Sequence, residues 1–135
     1  GFVIHADFIP LYEKIYGTLA PEPGDDRFLH NDARVFHLLP IFRDLGVNGI
    51  NPDPLTPPAE IRRALPEAII YGCVPPLILK DGSPEEVIAA ARASLESLPR
   101  DRRLVLTTAG SINMGTPYEN IEALCRAAAS FGGYA

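Results

Sequence analysis

The chain has 135 residues, of which 47% are hydrophobic and 21% are charged. This composition suits one compact domain, predicted to span residues 1–135, and excludes a disordered chain. The net charge of -5 argues against a nucleic-acid partner, and no run approaches the roughly 20 apolar residues that cross a bilayer.

The first predicted elements are a helix over residues 7–16, a Pro/Gly-rich connection over 20–26 and a strand over 27–30. A second helix is predicted to begin near Asp32 and to end at Gly46, a residue typical of helix C-termini. Its apolar positions fall on one helical stripe, formed by Val35, Leu38, Leu39, Phe42 and Leu45.

Three further strands are predicted at 47–51, 68–74 and 103–108, as short apolar runs suited to burial on both faces. Each is followed by a predicted helix that begins at a hydroxyl residue and proline: Thr56-Pro57, Ser83-Pro84 and Thr116-Pro117. The last two starts carry Glu three residues after the hydroxyl, as in a capping box. The stripe of the last helix is predicted to comprise Ile121, Leu124, Cys125 and Ala128, which places Cys125 in the core.

The alternation of strands and helices predicts an α/β fold with a parallel sheet and right-handed crossovers. Two architectures fit this order: a small open doubly wound sheet, or four consecutive βα units of a (β/α)₈ barrel. A closed barrel takes about 250 residues. Four units alone would leave two bare strand edges, which folded proteins avoid. The pattern of elements does not choose between the two.

Three sequence motifs resemble those of the uroporphyrinogen decarboxylase superfamily. Residues 109–121 read Ala-Gly-Ser-Ile-Asn-Met-Gly-Thr-Pro-Tyr-Glu-Asn-Ile. They are similar to the family's last strand–loop–helix, where a Gly-Cys-Gly or Gly-His-Gly turn precedes Thr-Pro-x-Glu-Asn-[Ile/Val]. Residues 71–76 and 82–87 are similar to its Gly-Asn-[Leu/Val]-x-Pro strand end and its Thr-Pro-Glu-Glu-Val helix start. Residues 28–32, Phe-Leu-His-Asn-Asp, lie where relatives carry an apolar strand ending in His-x-Cys.

The resemblance implies the C-terminal half of a (β/α)₈ TIM barrel with an extra N-terminal helix, and a site at the C-terminal ends of the strands. It implies one of two reactions. The first is cofactor-free decarboxylation of a tetrapyrrole carboxylate, which is a lyase reaction of porphyrin biosynthesis. The second is zinc-dependent methyl transfer involving corrinoid proteins. The methyltransferase zinc ligands correspond to His30, Asp32 and Gly110, and the last of these has no side chain. The decarboxylase histidine at the Gly110 position is also missing. The arginine-rich loop and key aspartate of the decarboxylases belong to the N-terminal half, which the resemblance does not cover.

Candidate site residues follow the predicted strands. His30 is predicted to be a catalytic base or ligand, Asp32 to orient a polar substrate, and Asn31 to contribute to binding. The alternative is that Asn31 or Asp32 caps the next helix, with His30 hydrogen-bonded nearby. Asn51 and Asp53 are predicted to bind substrate at the end of the second strand, although Asp53 could instead cap a turn-rich loop.

Gly110 and Ser111 follow the fourth strand, where backbone N–H groups could approach an anionic ligand. A turn that needs glycine explains Gly110 equally well. Cys73 offers an alternative zinc site together with His30 and Asp32, although a buried free cysteine is usually a small hydrophobe. A set of solvated side chains is predicted at helix surfaces, helix ends and loops: His37, Arg62, Arg63, Arg100, Arg102 and Arg103.

The leading functional hypothesis is a uroporphyrinogen decarboxylase-like module that acts on a small molecule without a cofactor. The alternatives are a corrinoid-linked methyltransferase-like domain with zinc, and a non-catalytic half-barrel that binds a ligand. Pairing is expected, as a homodimer or with a separate N-terminal half-barrel, because it would cover the open edges. The isolated cysteines indicate a cytoplasmic location. The start at Gly1, without methionine, favours processing or truncation.

Overall fold

A computed structural model describes residues 8–19, 22, 24–98 and 103–131. Four parallel strands lie at Phe28–His30 (β1), Gly49–Asn51 (β2), Ile69–Val74 (β3) and Leu104–Thr108 (β4). The helices are α1 (Ile9–Leu19), α2 (Leu39–Asp44), α3 (Pro58–Ala64), α4 (Pro76–Asp81), α5 (Pro84–Glu96) and α6 (Tyr118–Phe131), with a 3₁₀ turn at Phe36–Leu38. The predicted helix start at residue 7 and the side chains of Arg100 and Arg102 lie outside the described residues. No helix in these ranges is long and apolar enough to cross a membrane.

The order of the strands distinguishes the two architectures left open by the sequence. The sheet runs β1-β2-β3-β4, and each neighbouring pair is parallel. A doubly wound sheet reverses its strand order at a switch point, whereas the strands of a barrel follow the order of the chain. The prediction of four consecutive βα units of a barrel-type α/β fold is therefore confirmed.

The core of the described chain lies on one face of the sheet, between the strands and the helices. Ile50, Ile70 and Val74 point to this face and have no exposed surface. The opposite face, here called the inner face, carries Phe28, Ile69, Tyr71 and Val105, whose register places them on one side. Phe28, Ile69 and Val105 are 50%, 37% and 45% exposed. One layer of helices therefore leaves the inner face uncovered.

The helix predicted near Asp32 begins later than expected. The 3₁₀ turn starts after Val35, and α2 starts only after Leu38. Two polar contacts hold the preceding segment in a turn: Ala33 N–H donates to Asn31 Oδ1, and Val35 N–H donates to an Asp53 carboxylate oxygen. Neither Asn31 nor Asp32 is a helix cap, so the capping role considered for them is wrong.

The buried face of α6 is shifted by one residue toward the N-terminus relative to the prediction. Its buried side chains are Asn120, Ala123, Leu124 and Ala127. Cys125 is exposed, so its prediction as a core residue is wrong. The cause is Asn120, which is 2% exposed and donates from Nδ2 to the carbonyl oxygens of Leu79 and Gly82. A side-chain amide that donates to two buried carbonyl oxygens can occupy a buried position of a helix, as an apolar side chain does.

The helix starts show one confirmed capping box and one misplaced cap. Ser83 accepts from Glu86 N–H, and the Glu86 carboxylate accepts from Ser83 N–H, as predicted. The hydroxyl of Thr56 instead donates to Asp53, and Pro57 occupies the N-cap of α3. Helix α4 was not predicted, because six residues are too few for a helical period to stand out.

Arg62 was predicted to be solvated, and the structure contradicts this. Its side chain is buried, with 9% of the residue exposed. The guanidinium donates to the carbonyl oxygens of Pro66, Ala68 and Arg103, which ties α3 to the entrances of β3 and β4. His37 is exposed, as predicted.

Candidate functional site at the carboxyl edge of the sheet

Polar side chains gather where the parallel strands end. His30 is the last residue of β1, Asn51 is the last of β2, and Thr108 is the last of β4. Because all four strands run in the same direction, these ends meet at one edge of the sheet. Barrel enzymes place their sites at this edge. The cluster formed by His30, Asp32, Asn51 and Gly110 is here called the edge cluster.

The imidazole of His30 contacts two other members of the edge cluster. Its Nδ1 lies 2.7 Å from Asn51 Oδ1, and its Nε2 lies 3.4 Å from Asp32 Oδ2. The side chains of His30 and Asp32 are 46% and 63% exposed. The two sides of the ring therefore differ: one is anchored to the sheet, and the other faces an accessible carboxylate.

Asn51 is the buried anchor of the edge cluster. It is 9% exposed, and its Nδ2 donates to the carbonyl oxygens of Tyr71 and Thr108. The amide thereby connects the end of β2 to the middle of β3 and to the end of β4, while its oxygen faces His30 on β1. All its polar atoms have partners within the chain, so it is fitted to hold the cluster in place.

Gly110 provides the space that Asp32 occupies. Its φ of +89° favours glycine, and a Cβ built there would lie 2.5 Å from Asp32 Oδ1. The turn is fixed by the hydroxyl of Thr108, which donates to Gly110 O. The structure thus brings Gly110 together with His30 and Asp32, and leaves Ser111 exposed beside them.

Asp53 lies close to this edge but is engaged within its own loop. It is 1% exposed, and its carboxylate accepts from the N–H groups of Val35 and Leu55 and from the Thr56 hydroxyl. These are the contacts of a loop cap. Its role in substrate binding stays a prediction, as does that of Asn31, whose side chain accepts from Ala33 N–H.

Cys73 does not join His30 and Asp32 in a metal site. Among the described residues, no three His, Cys, Asp or Glu side chains are grouped so that they could hold a metal ion. Cys73 packs against the core, and burial raises the pKa of its thiol to about 12, against a lowering by Arg62. This arrangement therefore gives no support to the zinc set of His30, Asp32 and Cys73.

The family model described as "Uroporphyrinogen decarboxylase (URO-D)" matches residues 8–131, nearly the whole described chain. The chain belongs to the uroporphyrinogen decarboxylase family. Comparison with curated proteins gives no significant match. A solved structure, a methyltransferase from Methanosarcina mazei, is similar with a TM-score of 0.72 and 22% sequence identity. The match covers 93% of this chain and 36% of that one, so this member of the uroporphyrinogen decarboxylase family spans about a third of the methyltransferase.

Two buried polar residues were not singled out from the sequence: one supports the edge cluster, and the other supports the packing of α6. Thr108 fixes the Gly110 turn and supplies a carbonyl acceptor to Asn51. Asn120, within the family motif Thr-Pro-x-Glu-Asn, joins α6 to the ends of α4 and to the turn before α5. The motif itself was a signal for Asn120, because an amide at a fixed place in a helix start often serves a buried backbone acceptor.

Proposed function

We propose that the edge cluster is part of a small-molecule site in which His30 transfers a proton and Asp32 assists it. The observation that carries the proposal is the pairing of an accessible imidazole with a carboxylate, on a ring anchored by buried Asn51. Family membership supports decarboxylation of a tetrapyrrole carboxylate as the reaction. The reaction breaks the bond to the departing CO₂, and the electron pair left on the substrate carbon takes up a proton. A charged imidazole could supply that proton from Nε2.

Replacing His30 with alanine is expected to abolish binding of a tetrapyrrole carboxylate without unfolding the chain. The exposed imidazole contributes little to the core, so the folded structure should persist. Fluorescence titration with uroporphyrin measures binding, and circular dichroism measures the fold. His37→Ala, which removes an exposed imidazole that is not part of the edge cluster, serves as the matched control. Equal affinities of His30→Ala and wild type would remove His30 from the site.

Methyl transfer is the second candidate, and the name of the similar Methanosarcina mazei structure favours it. His30 Nε2 and Asp32 Oδ2 are two possible zinc ligands within 3.4 Å of each other. Gly110 provides no third side chain, so a further ligand would have to come from outside the described residues. This candidate requires zinc, whereas the decarboxylase candidate does not.

The proposal also includes a partner for the inner face. Phe28, Ile69 and Val105 are exposed there, although the inner strand faces of a barrel are normally packed. We therefore expect further βα units to cover this face, from a second copy of the chain or from a separate N-terminal half-barrel. The free cysteines Cys73 and Cys125 agree with assembly in a reducing cytoplasm.

Native mass spectrometry of the purified chain is expected to detect a metal-free dimer, because pairing would bury the exposed apolar inner face. The same spectrum reports bound metal. A chain carrying one zinc ion would support methyl transfer in place of decarboxylation. A bare monomer would contradict self-pairing and would direct the search to a separate N-terminal half-barrel.

A further inference from the structure

The orientation of the Asn51 amide is determined by its surroundings. Its Nδ2 donates to the carbonyl oxygens of Tyr71 and Thr108, which engages both amide hydrogens. The reverse orientation would place Oδ1 against two carbonyl oxygens, with no hydrogen between them. Asn51 Oδ1 must therefore be the atom that faces His30.

An amide oxygen only accepts hydrogen bonds, so the 2.7 Å contact requires a proton on His30 Nδ1. We infer that Asn51 is a positioning residue that holds the neutral His30 ring in the Nδ1–H tautomer and leaves the Nε2 lone pair at the accessible edge. In water an imidazole carries its proton mainly on Nε2. Asn51 would thus impose the less common tautomer.

Asp32 competes with Asn51 for the ring proton, because a carboxylate beside Nε2 favours a proton there. Its contact is longer, at 3.4 Å, and its side chain is 63% exposed, so water weakens the attraction. The Asn51 contact is shorter and belongs to a residue that is 9% exposed. The buried contact with Asn51 therefore determines the tautomer.

This arrangement assigns different tasks to the two ring nitrogens. Nδ1 holds the proton that Asn51 accepts. Nε2 is the ring nitrogen left for a substrate at the accessible edge. The use of Nε2 in catalysis rests on the proposed function, whereas the tautomer itself is a property of the free chain.

The test is a long-range ¹H–¹⁵N NMR spectrum of histidine-labelled protein at about pH 9, well above the ordinary imidazole pKa of about 6.5. His30→Gln identifies the His30 signals by their loss. The expected result is Nδ1–H for His30 in the wild type and in Asp32→Asn, and Nε2–H for exposed His37 in both. Asn51→Leu should return His30 to Nε2–H.

Asn51→Leu also removes the donors of two carbonyl groups and could fail to fold. The wild-type and Asp32→Asn spectra therefore decide the question without it. Nδ1–H in both supports the inference, and Nε2–H in either overturns it. If Asn51→Leu folds, retention of Nδ1–H there also overturns it. No ligand is used, so a failure of uroporphyrin binding would affect only the proposed function.

Discussion

Alanine at position 72 is expected to lower the free energy of unfolding by about 3 kcal/mol, from backbone strain and steric overlap together. Gly72 has a φ of +138°, a conformation that L-residues with a side chain rarely adopt. A Cβ there would lie 2.9 Å from Thr108 O and 3.1 Å from Asn51 Nδ2. The first contact is with backbone and cannot be relieved by a rotamer change. The substitution should therefore strain β4 and displace Asn51 from its acceptors.

Gly115→Ala is the matched control for Gly72→Ala. Gly115 also has a positive φ, +82°, but a Cβ there would have no atom within 4 Å. Gly115→Ala should lower the free energy of unfolding through backbone strain alone, by about 1–2 kcal/mol. Urea denaturation of both variants measures the difference. Equal losses of stability would show that the close approach of β3 and β4 at Gly72 is unimportant.

Replacing Arg62 with methionine is expected to lower the free energy of unfolding by about 3 kcal/mol. Methionine preserves much of the apolar length but donates no hydrogen bonds. The carbonyl oxygens of Pro66, Ala68 and Arg103 would lose the guanidinium that now binds them. These groups lie where β3 and β4 begin, far from the edge cluster. Ligand binding by the folded fraction should therefore change little.

Arg63→Met provides the comparison for Arg62→Met within the same helix. The Arg63 side chain is 73% exposed and pairs with Glu60, so its loss should cost less than about 0.5 kcal/mol. Thermal or urea unfolding of the two variants gives the contrast directly. Similar losses for both would mean that the buried guanidinium contributes no more than a surface ion pair.

The sequence predicted the strands and the location of the edge cluster for a local reason. Short apolar runs between helix starts mark buried parallel strands; His30 and Asn51 end two such runs, and Gly110 comes shortly after a third. Since parallel strands end at one edge, the proximity of these residues follows from topology alone. The register of β1 and β2, which the sequence did not specify, then pairs His30 directly with Asn51.

The features that the sequence did not predict depend on partners distant in the chain. Arg62 is buried because three carbonyl groups surround its guanidinium, including that of Arg103. The rotation of α6 depends on Asn120 meeting Leu79 and Gly82. Helical periodicity treats an asparagine or arginine as a surface residue. A buried polar side chain with tertiary acceptors is therefore the case in which pattern-based prediction fails.

The contact between Asp32 and Gly110 has an evolutionary consequence. A Cβ at position 110 and the Asp32 carboxylate would occupy the same space, since they would lie 2.5 Å apart. Substitutions at the two positions are therefore coupled. A side chain acquired at position 110 would oblige the exposed Asp32 carboxylate to move to another rotamer or to be replaced. We expect pairwise covariation between these positions across homologous sequences, even though 78 positions along the chain separate them.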